Sequence, residues 1–236
     1  MDASRSLAQV VKRTIDVVGA GTGLLLVAPV LAATGLAVWG TMGRPILFRQ
    51  GRPGLGGHPF TILKFRTMRP PRPGEVWYRT DAVRLTRLGR ILRHTSIDEL
   101  PELWNVLRGD MSLVGPRPLL VEYLDAYTPE ERRRHDVRPG ITGWAAVNGR
   151  NAITFRERLR LDAWYVDHWS LGLDLWILLL TAWQVLRCSN AAVNESERDL
   201  ELGFPLPHLR ARIAGDTRGA PPPAAGDPAA RAEAGR

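Results

Sequence analysis

Residues 17–43 read VVGAGTGLLLVAPVLAATGLAVWGTMG and contain no charged side chain. This run of 27 residues is longer than the roughly 20 that an α-helix needs to cross the hydrocarbon core of a bilayer. Its length and flanks do not fit a cleaved signal peptide. The run therefore predicts a membrane helix region over residues 1–43, and a buried core helix is the alternative.

Pro29 lies near the centre of this run. Proline removes a backbone donor and clashes with the preceding turn, so we expect the helix to kink or break there. Both flanks are basic, with Lys12 and Arg13 before the run and Arg44 and Arg49 after it. Positively charged segments favour the cytoplasmic side of a membrane. A re-entrant hairpin broken at Pro29 satisfies both flanks, whereas a full span satisfies only one.

The whole chain is basic, with 32 Lys and Arg against 24 Asp and Glu, a net charge of +8. This balance favours an anionic partner such as nucleic acid, anionic lipid or a phosphorylated substrate. A hydrophobic content of 44% excludes global disorder and collagen-like structure. The single cysteine, Cys188, excludes an intrachain disulfide and a Cys-rich zinc site.

After the apolar run, the pattern predicts a compact domain over residues 44–190 that is α+β but mainly helical. Short extended pieces at 46–48 and 60–65 flank a turn-rich segment. Helical periodicity begins at Asp81, and a second helix is predicted from Ile97 to about Arg108. Further predictions are a helix opened by Thr128, a Gly-rich loop over 140–151 and a helix over 155–165.

The last apolar segment, residues 171–186, carries Trp176 and Trp183 on one helical face. Tryptophan favours the membrane–water boundary, so we expect an amphipathic interfacial helix, with a core helix as the equal alternative. Residues 191–236 form a C-terminal extension that is predicted to be disordered from about residue 215.

The segment SIDEL at 96–100 is the sharpest local feature. Ser96 and Glu99 have the spacing of a capping box, and Asp98 complements a helix dipole, which would explain both acids structurally. The alternative is chemical. Adjacent carboxylates beside arginines can bind a divalent ion and act on a phosphate, and an aspartate can attack phosphorus.

Other candidate residues are weaker when taken alone. Lys64, on a predicted strand, can neutralise a phosphate oxygen or simply be solvated. In the Gly-rich loop, Arg138 and Arg150 can bind phosphate and Trp144 can stack on a base. None of the five histidines has metal-ligand spacing, so they are interpreted as structural or surface residues.

Several segments share one order along the chain: KRTID at 12–16, FRQGRPG at 48–54, KFRTM at 64–68, SIDELP at 96–101, NVLRGDMS at 105–112 and VGPRP at 114–118. In this order they resemble the bacterial sugar transferases, specifically the small monotopic phosphoglycosyl transferases. The segments LLVEYL, RPGITGWA and VNGRNAI, which begin at residues 119, 138 and 147, are most similar to N,N′-diacetylbacillosamine-1-phosphate transferases of bacterial protein glycosylation. The resemblance covers about residues 10–190.

The resemblance implies an enzyme that moves a sugar-1-phosphate from a UDP-sugar to polyprenyl (undecaprenyl) phosphate and releases UMP. Asp98 would attack phosphorus to form a covalent aspartyl-phosphosugar, and Glu99 would hold Mg²⁺. Lys64, Arg93 and Arg117 would bind substrate phosphate. Assigned to the nucleotide are Arg138, Trp144 and Arg150.

The resemblance also implies a monotopic protein of the bacterial inner membrane, with its active site facing the cytoplasm. The expected partners are the UDP-sugar donor, the polyprenyl phosphate acceptor, the inner leaflet and downstream glycosyltransferases, with no nucleic acid. The identity of the sugar is not readable. Two alternatives stay open: a membrane-tethered basic protein that binds nucleic acid or anionic lipid, and direct attack by lipid phosphate without a covalent step.

Overall fold

The computed structural model describes residues 3–72, 81–149 and 153–186. The helices are α1 (Ala3–Met42), α2 (Asp81–Arg84), α3 (Arg87–His94), α4 (Glu102–Arg108), α5 (Pro129–Arg132), α6 (Trp144–Asn148), α7 (Phe155–His168) and α8 (Leu171–Leu186). The strands are β1 (Leu47–Pro53), β2 (Pro59–Phe65), β3 (Ser112–Val114) and β4 (Gly140–Thr142). Short 3-10 turns lie at Leu55–Gly57, Ile97–Glu99, Val121–Ala126 and Arg133–His135. This architecture matches the predicted α+β, mainly helical class.

The N-terminal helix α1 is continuous over 40 residues, with Pro29 inside it. The prediction of a break in the helix at Pro29 is therefore wrong, whereas a kink within the continuous helix stays a prediction. Proline's fixed φ is compatible with a helix, and apolar helices tolerate the loss of the one backbone hydrogen bond that proline cannot make. In the described part of the chain, Ser6–Met42 is the one helix that is long and apolar enough to cross a membrane.

Charged side chains before the apolar run tie α1 to the rest of the domain. The Lys12 ammonium donates to Asp174 Oδ2 of α8 at 2.6 Å and to the carbonyl of Val114 at 3.0 Å. Arg13 donates to two carbonyls at the end of α4, and Asp16 accepts from the Ser112 hydroxyl at 3.0 Å. All three charged side chains have hydrogen-bond partners in the rest of the domain, so this part of α1 packs against protein.

Apolar contacts hold α1 on both sides of the proline. Ala20 packs in a buried cluster that contains Ile62 of β2, and Val38 packs in another that contains Phe65 of the same strand. Between these contacts the helix is largely uncovered, and Leu25 is 79% exposed. The exposed part of α1 is thus the apolar stretch of helix on either side of Pro29.

The two extended pieces predicted at 46–48 and 60–65 are confirmed as an antiparallel hairpin, with Phe48 paired to Lys64. The Asn105 side chain of α4 fastens this hairpin. Its Oδ1 accepts from the Leu63 amide at 3.1 Å, and its Nδ2 donates to the Thr61 carbonyl at 2.7 Å. The cross-link fixes Lys64 relative to the N-terminus of α4.

A second, parallel pair joins β3 to β4, with Ser112 opposite Gly140 and Val114 opposite Thr142. A Cβ at Gly140 would lie 2.1 Å from the backbone nitrogen of Gly115, so no side chain fits there. This close approach anchors the segment Gly115–Pro118 beside β4.

Two helix boundaries differ from the prediction. The helix predicted from Ile97 is split into a 3-10 turn and α4, and Pro101, which lies between them, has no N–H with which to continue the helical hydrogen bonding. The predicted Gly-rich loop over 140–151 contains β4 and α6. Both elements are made by long-range pairing and packing, which local composition does not report.

The helix predicted over 171–186 is confirmed as α8. Ile177 on it is fully buried, whereas Trp176 and Trp183 are each 54% exposed. One face is therefore a core face, and a membrane-interfacial role for the other stays a prediction. The C-terminal extension at 191–236 lies outside the described residues.

Candidate active site

Asp98 and Glu99 occupy the 3-10 turn that follows Ser96. Ser96 has a φ of +56° and makes no side-chain capping hydrogen bond, so the capping box considered from the sequence is not formed. A non-glycine residue at positive φ costs on the order of 1 kcal/mol. Both carboxylates are consequently available for contacts other than helix capping.

The Asp98 side chain is buried, and none of the described residues hydrogen-bonds its carboxylate. Burial, reinforced by the charge of Glu99, raises the pKa of Asp98 above its ordinary value. The positive charges of Lys64, Arg93 and Arg117 oppose that shift. Asp98 is therefore a desolvated carboxylate with three cations near it and uncommitted oxygens.

Glu99, in contrast, is held by two cations. Its Oε1 accepts from Lys64 Nζ at 2.7 Å and from Arg117 Nη2 at 2.5 Å, and its Oε2 lies 3.4 Å from Arg117 Nη1. Burial favours a raised pKa for Glu99, but the charges of Arg117 and Lys64 outweigh burial and lower the pKa well below its ordinary value. Glu99 is thus ionised throughout the neutral range and orders both cations.

A third carboxylate, Glu102 in the first turn of α4, shares Lys64. Its Oε1 is 3.2 Å from Lys64 Nζ but lacks hydrogen-bond alignment, and the side chain is almost fully buried. Burial raises the pKa of Glu102 to about 7, although Lys64 counteracts the shift. Glu102 is not among the residues predicted from the sequence, where its one signal is an acidic side chain about one helical turn after Glu99.

Arg93 reaches the site from α3. Its Nε donates to the Thr67 hydroxyl at 3.1 Å. Helix α3 lies against the segment after β2 so closely that a Cβ at Gly89 would be 1.9 Å from the Thr67 carbonyl oxygen. The structure therefore brings together five of the predicted residues: Lys64, Arg93, Asp98, Glu99 and Arg117.

Two of the predicted nucleotide-binding residues, Arg138 and Trp144, make contacts outside this cluster. Arg138 donates to the carbonyl of Gly109, beyond the C-terminus of α4, whereas Glu99 lies before its N-terminus. Trp144 stacks on Trp164, with ring centroids 4.9 Å apart. Arg150 lies outside the described residues. Their assignment to a nucleotide stays a prediction.

The carboxylate pair has the chemistry for Mg²⁺. The described residues include no group of three or more His, Cys, Asp or Glu side chains that could hold a metal. Mg²⁺ is commonly bound by one or two carboxylates together with substrate phosphates and water. Because Asp98 is uncommitted and Glu99 Oε2 has only a long contact, these oxygens fit such an ion. The role of Glu99 as its ligand stays a prediction.

His135, beside Arg134 at the edge of this region, gives a pH-dependent expectation. Burial lowers the pKa of His135 to about 4, and its Nε2 has no partner among the described residues. The folded state then binds this proton less readily than the unfolded chain. The contribution of neutral His135 to the free energy of unfolding is fully present above about pH 6.5 and is lost as the pH drops toward 4. The loss is about 2 kcal/mol at pH 5.

We expect His135→Gln to remove that part of the acid sensitivity. The measurement is the free energy of unfolding at pH 7 and pH 5 for the wild type and the variant. An equal loss of stability in both proteins would show that His135 is not the group responsible.

The buried Asp98 carboxylate lies among three cations, an arrangement that suits an anionic substrate. It belongs to a domain that is docked to a helix long and apolar enough to cross a membrane. Residues 7–188 match the family model described as bacterial sugar transferase. The chain belongs to the bacterial sugar transferase family, and it is a transferase, as the sequence motifs predicted.

Curated relatives agree with this membership. The chain is 52% identical over 177 residues to "Uncharacterized sugar transferase EpsL" of Bacillus subtilis, an alignment that covers 75% of this chain and 88% of the relative. It is 47% identical to the UDP-glucose:undecaprenyl-phosphate glucose-1-phosphate transferase of Caulobacter vibrioides, covering 76% of this chain and 71% of the relative. The Escherichia coli protein of the same name is 39% identical, but the match spans only 40% of its length.

Proposed function

We propose that this protein transfers a sugar-1-phosphate from a UDP-sugar to polyprenyl phosphate, releases UMP, and does so through a covalent aspartyl-phosphosugar on Asp98. The observation that carries the proposal is the buried Asp98 carboxylate, which none of the described residues hydrogen-bonds, with Lys64, Arg93 and Arg117 near it. Relatives named as undecaprenyl-phosphate glucose-1-phosphate transferases support the reaction class.

The three cations are suited to the donor diphosphate. Arg117 presents a planar guanidinium that pairs bidentately with carboxylate or phosphate, and Lys64 presents a compact charge. In the structure both bind Glu99, so they are already ordered before substrate arrives. Ordered cations stabilise the charge that develops during phosphoryl transfer without further reorganisation.

The reaction has two successive displacements at the same phosphorus. In the first, an Asp98 oxygen bonds to the phosphorus that carries the sugar, and the bond from that phosphorus to the bridging oxygen breaks, so UMP leaves with that oxygen. In the second, an oxygen of the lipid phosphate bonds to the same phosphorus and expels the Asp98 carboxylate. The product is a polyprenyl-diphospho-sugar, and the enzyme is regenerated.

Mg²⁺, when bound by Glu99 and the substrate phosphates, would neutralise part of the diphosphate charge. The protein's own share is different. Glu99 keeps Lys64 and Arg117 together, and the buried setting of Asp98 excludes the water that would weaken its attack on phosphorus.

The membrane arrangement that we propose is a re-entrant α1, bent around Pro29 while remaining helical, with the active site on the cytoplasmic face of the inner membrane. Ala20 shares a buried cluster with Ile62, and Val38 shares another with Phe65; the two strand residues are three positions apart on β2, or about 10 Å. A straight helix would separate Ala20 from Val38 by about 27 Å, close to the thickness of the hydrocarbon core. Because one short strand contributes to clusters near both ends of the apolar run, the packing supports re-entry.

Accessibility of the two ends of α1 tests this arrangement. After Cys188 is replaced by serine, single cysteines at Gln9 and Thr41 are labelled with a membrane-impermeant reagent in sealed inverted vesicles and in spheroplasts. We expect both to react in inverted vesicles and neither in spheroplasts. Labelling of the two positions from opposite faces would contradict re-entry.

The direct test of the reaction is UMP release by the purified full chain with Mg²⁺, a panel of UDP-sugars and undecaprenyl phosphate. We expect release with one donor class and ping-pong kinetics. Ternary-complex kinetics would favour direct attack by the lipid phosphate. The absence of UMP with every donor, together with salt-dependent binding of polyanions, would favour the binding-protein alternative.

The sequence leaves the donor sugar open. Several segments resemble N,N′-diacetylbacillosamine-1-phosphate transferases, whereas two of the relatives above carry UDP-glucose in their names. The product of the reaction is a lipid-linked sugar, so glycosyltransferases that extend it are the natural downstream partners in glycoconjugate assembly.

A further inference from the structure

Arg134 is the largest fully buried side chain in the described part of the chain, and the predicted reaction gives it no role. It lies in the 3-10 turn Arg133–His135 after α5. Its Nε and Nη2 donate to Asp162 Oδ2 of α7 at 3.2 and 2.7 Å. Its Nη1 lies 3.3 Å from the Tyr127 hydroxyl oxygen. Burying an ion pair is costly, so a pair at this position calls for an explanation beyond packing.

The remaining contact of Arg134 leads to the active site. Its Nη2 donates to the backbone carbonyl of Arg117 at 2.6 Å, a charge-assisted hydrogen bond. Arg117 is the residue whose guanidinium binds Glu99. A single buried side chain therefore connects the ion pair with Asp162 to the backbone of a phosphate-binding residue.

The segment around Arg117 needs this kind of support. Pro116 and Pro118 have no N–H, so the backbone donors of this segment are few. Its carbonyls accept hydrogen bonds instead: Pro116 from the Gly140 amide at 3.0 Å, Arg117 from Arg134, and Pro118 from Arg52 at 3.3 Å. The bond from Arg134 is the shortest of the three and the only one at Arg117 itself.

We propose that Arg134, held by Asp162, is a positioning residue that fixes the Arg117 backbone and thereby aims the Arg117 guanidinium at the Glu99–substrate site. The proposal rests on the function proposed above for Arg117. It predicts that Arg134 acts on the reaction only through Arg117, although it touches neither substrate nor the reacting atoms.

The test uses the full chain and two variants of Arg134. The paired variant Arg134→Met with Asp162→Leu replaces the buried ion pair by apolar side chains, a change that folded proteins often tolerate. Arg134→Lys keeps the charge opposite Asp162 but cannot bond Asp162 and the Arg117 carbonyl in the same bidentate geometry. Circular dichroism melting identifies which variants are folded.

Two readouts then separate positioning from the reaction. Phenylglyoxal labelling, quantified at Arg117 by peptide mass spectrometry, reports how firmly that side chain is held, with exposed Arg108 as the internal reference. We expect severalfold faster labelling of Arg117 in both folded variants and no change at Arg108. We also expect kcat/KM for UMP release to fall at least about 30-fold in both folded variants. Adding Arg134→Met/Asp162→Leu to Arg117→Ala should not lower kcat/KM below that of Arg117→Ala alone.

Unchanged labelling and unchanged kcat/KM in a folded variant would overturn the positioning role. Additive losses with Arg117→Ala would overturn it as well, because they would mean that Arg134 acts independently. A third outcome is faster labelling of Arg117 in the Arg134 variants together with an unchanged kcat/KM in Arg117→Ala. This outcome would support the positioning contact and overturn the phosphate-binding role of Arg117. If the wild type releases no UMP with any donor, the proposed function fails and the labelling result alone decides the positioning contact.

Discussion

Asp98→Asn is expected to reduce UMP release by at least about 10³-fold and to leave membrane attachment unchanged. Asparagine has nearly the same shape but cannot form the acyl phosphate, and loss of a covalent nucleophile has effects of this size or larger. Because burial raises the pKa of Asp98, its ionised form carries a desolvation cost in the folded state. We therefore expect the variant to melt no lower than the wild type.

The measurement is the initial rate of UMP release beside the melting temperature, with Asp136→Asn as the control. Asp136 is an exposed aspartate outside the site, and its amidation should change neither quantity. Substantial UMP release by folded Asp98→Asn would mean that Asp98 is not the nucleophile, and direct attack by the lipid phosphate would then be favoured.

Lys64→Met is expected to have the second largest effect, because it acts on both stability and activity. Lys64 is the shared cation between Glu99 and the nearly inaccessible Glu102. Removing one partner from a buried ion pair typically costs about 3–5 kcal/mol. Since the Lys64 side chain is still partly exposed, we expect the lower end, about 3 kcal/mol, and a loss of kcat/KM of about 100-fold or more.

The double variant Lys64→Met/Glu102→Gln separates these two effects. Glutamine removes the carboxylate charge that Lys64 offsets, so most of the lost stability should return. Activity should stay low, because the cation for the substrate phosphate is still missing. Recovery of both stability and UMP release would show that Lys64 is a structural partner of Glu102 and does not bind substrate.

The sequence predicted the features of this protein that are local. The uncharged run predicted a long apolar helix, and two short extended pieces around a turn-rich segment were predicted where β1 and β2 lie. The adjacent acids at 98 and 99 marked the candidate site through their types alone. Each of these signals needs only a short window of sequence.

What the sequence could not predict depends on contacts between distant segments. Glu99 binds Lys64 and Arg117, which are 35 and 18 positions away, and this pairing replaces the capping box that the local spacing favours. Arg134 is found only because its guanidinium reaches Asp162, 28 positions away. The break expected at Pro29 is also absent: proline's φ fits a helix, and α1 packs against the domain on both sides of the proline.

The covalent step is the central claim, and intact-protein mass spectrometry tests it most directly. The purified full chain with Mg²⁺ is mixed with each UDP-sugar in the absence of lipid acceptor, beside Asp98→Asn. A covalent aspartyl-phosphosugar predicts a mass increment of one phosphosugar on the wild type alone, lost when undecaprenyl phosphate is added, and the donor that produces it identifies the sugar. A wild-type enzyme that shows no increment with any donor, yet releases UMP once undecaprenyl phosphate is present, would contradict the covalent mechanism.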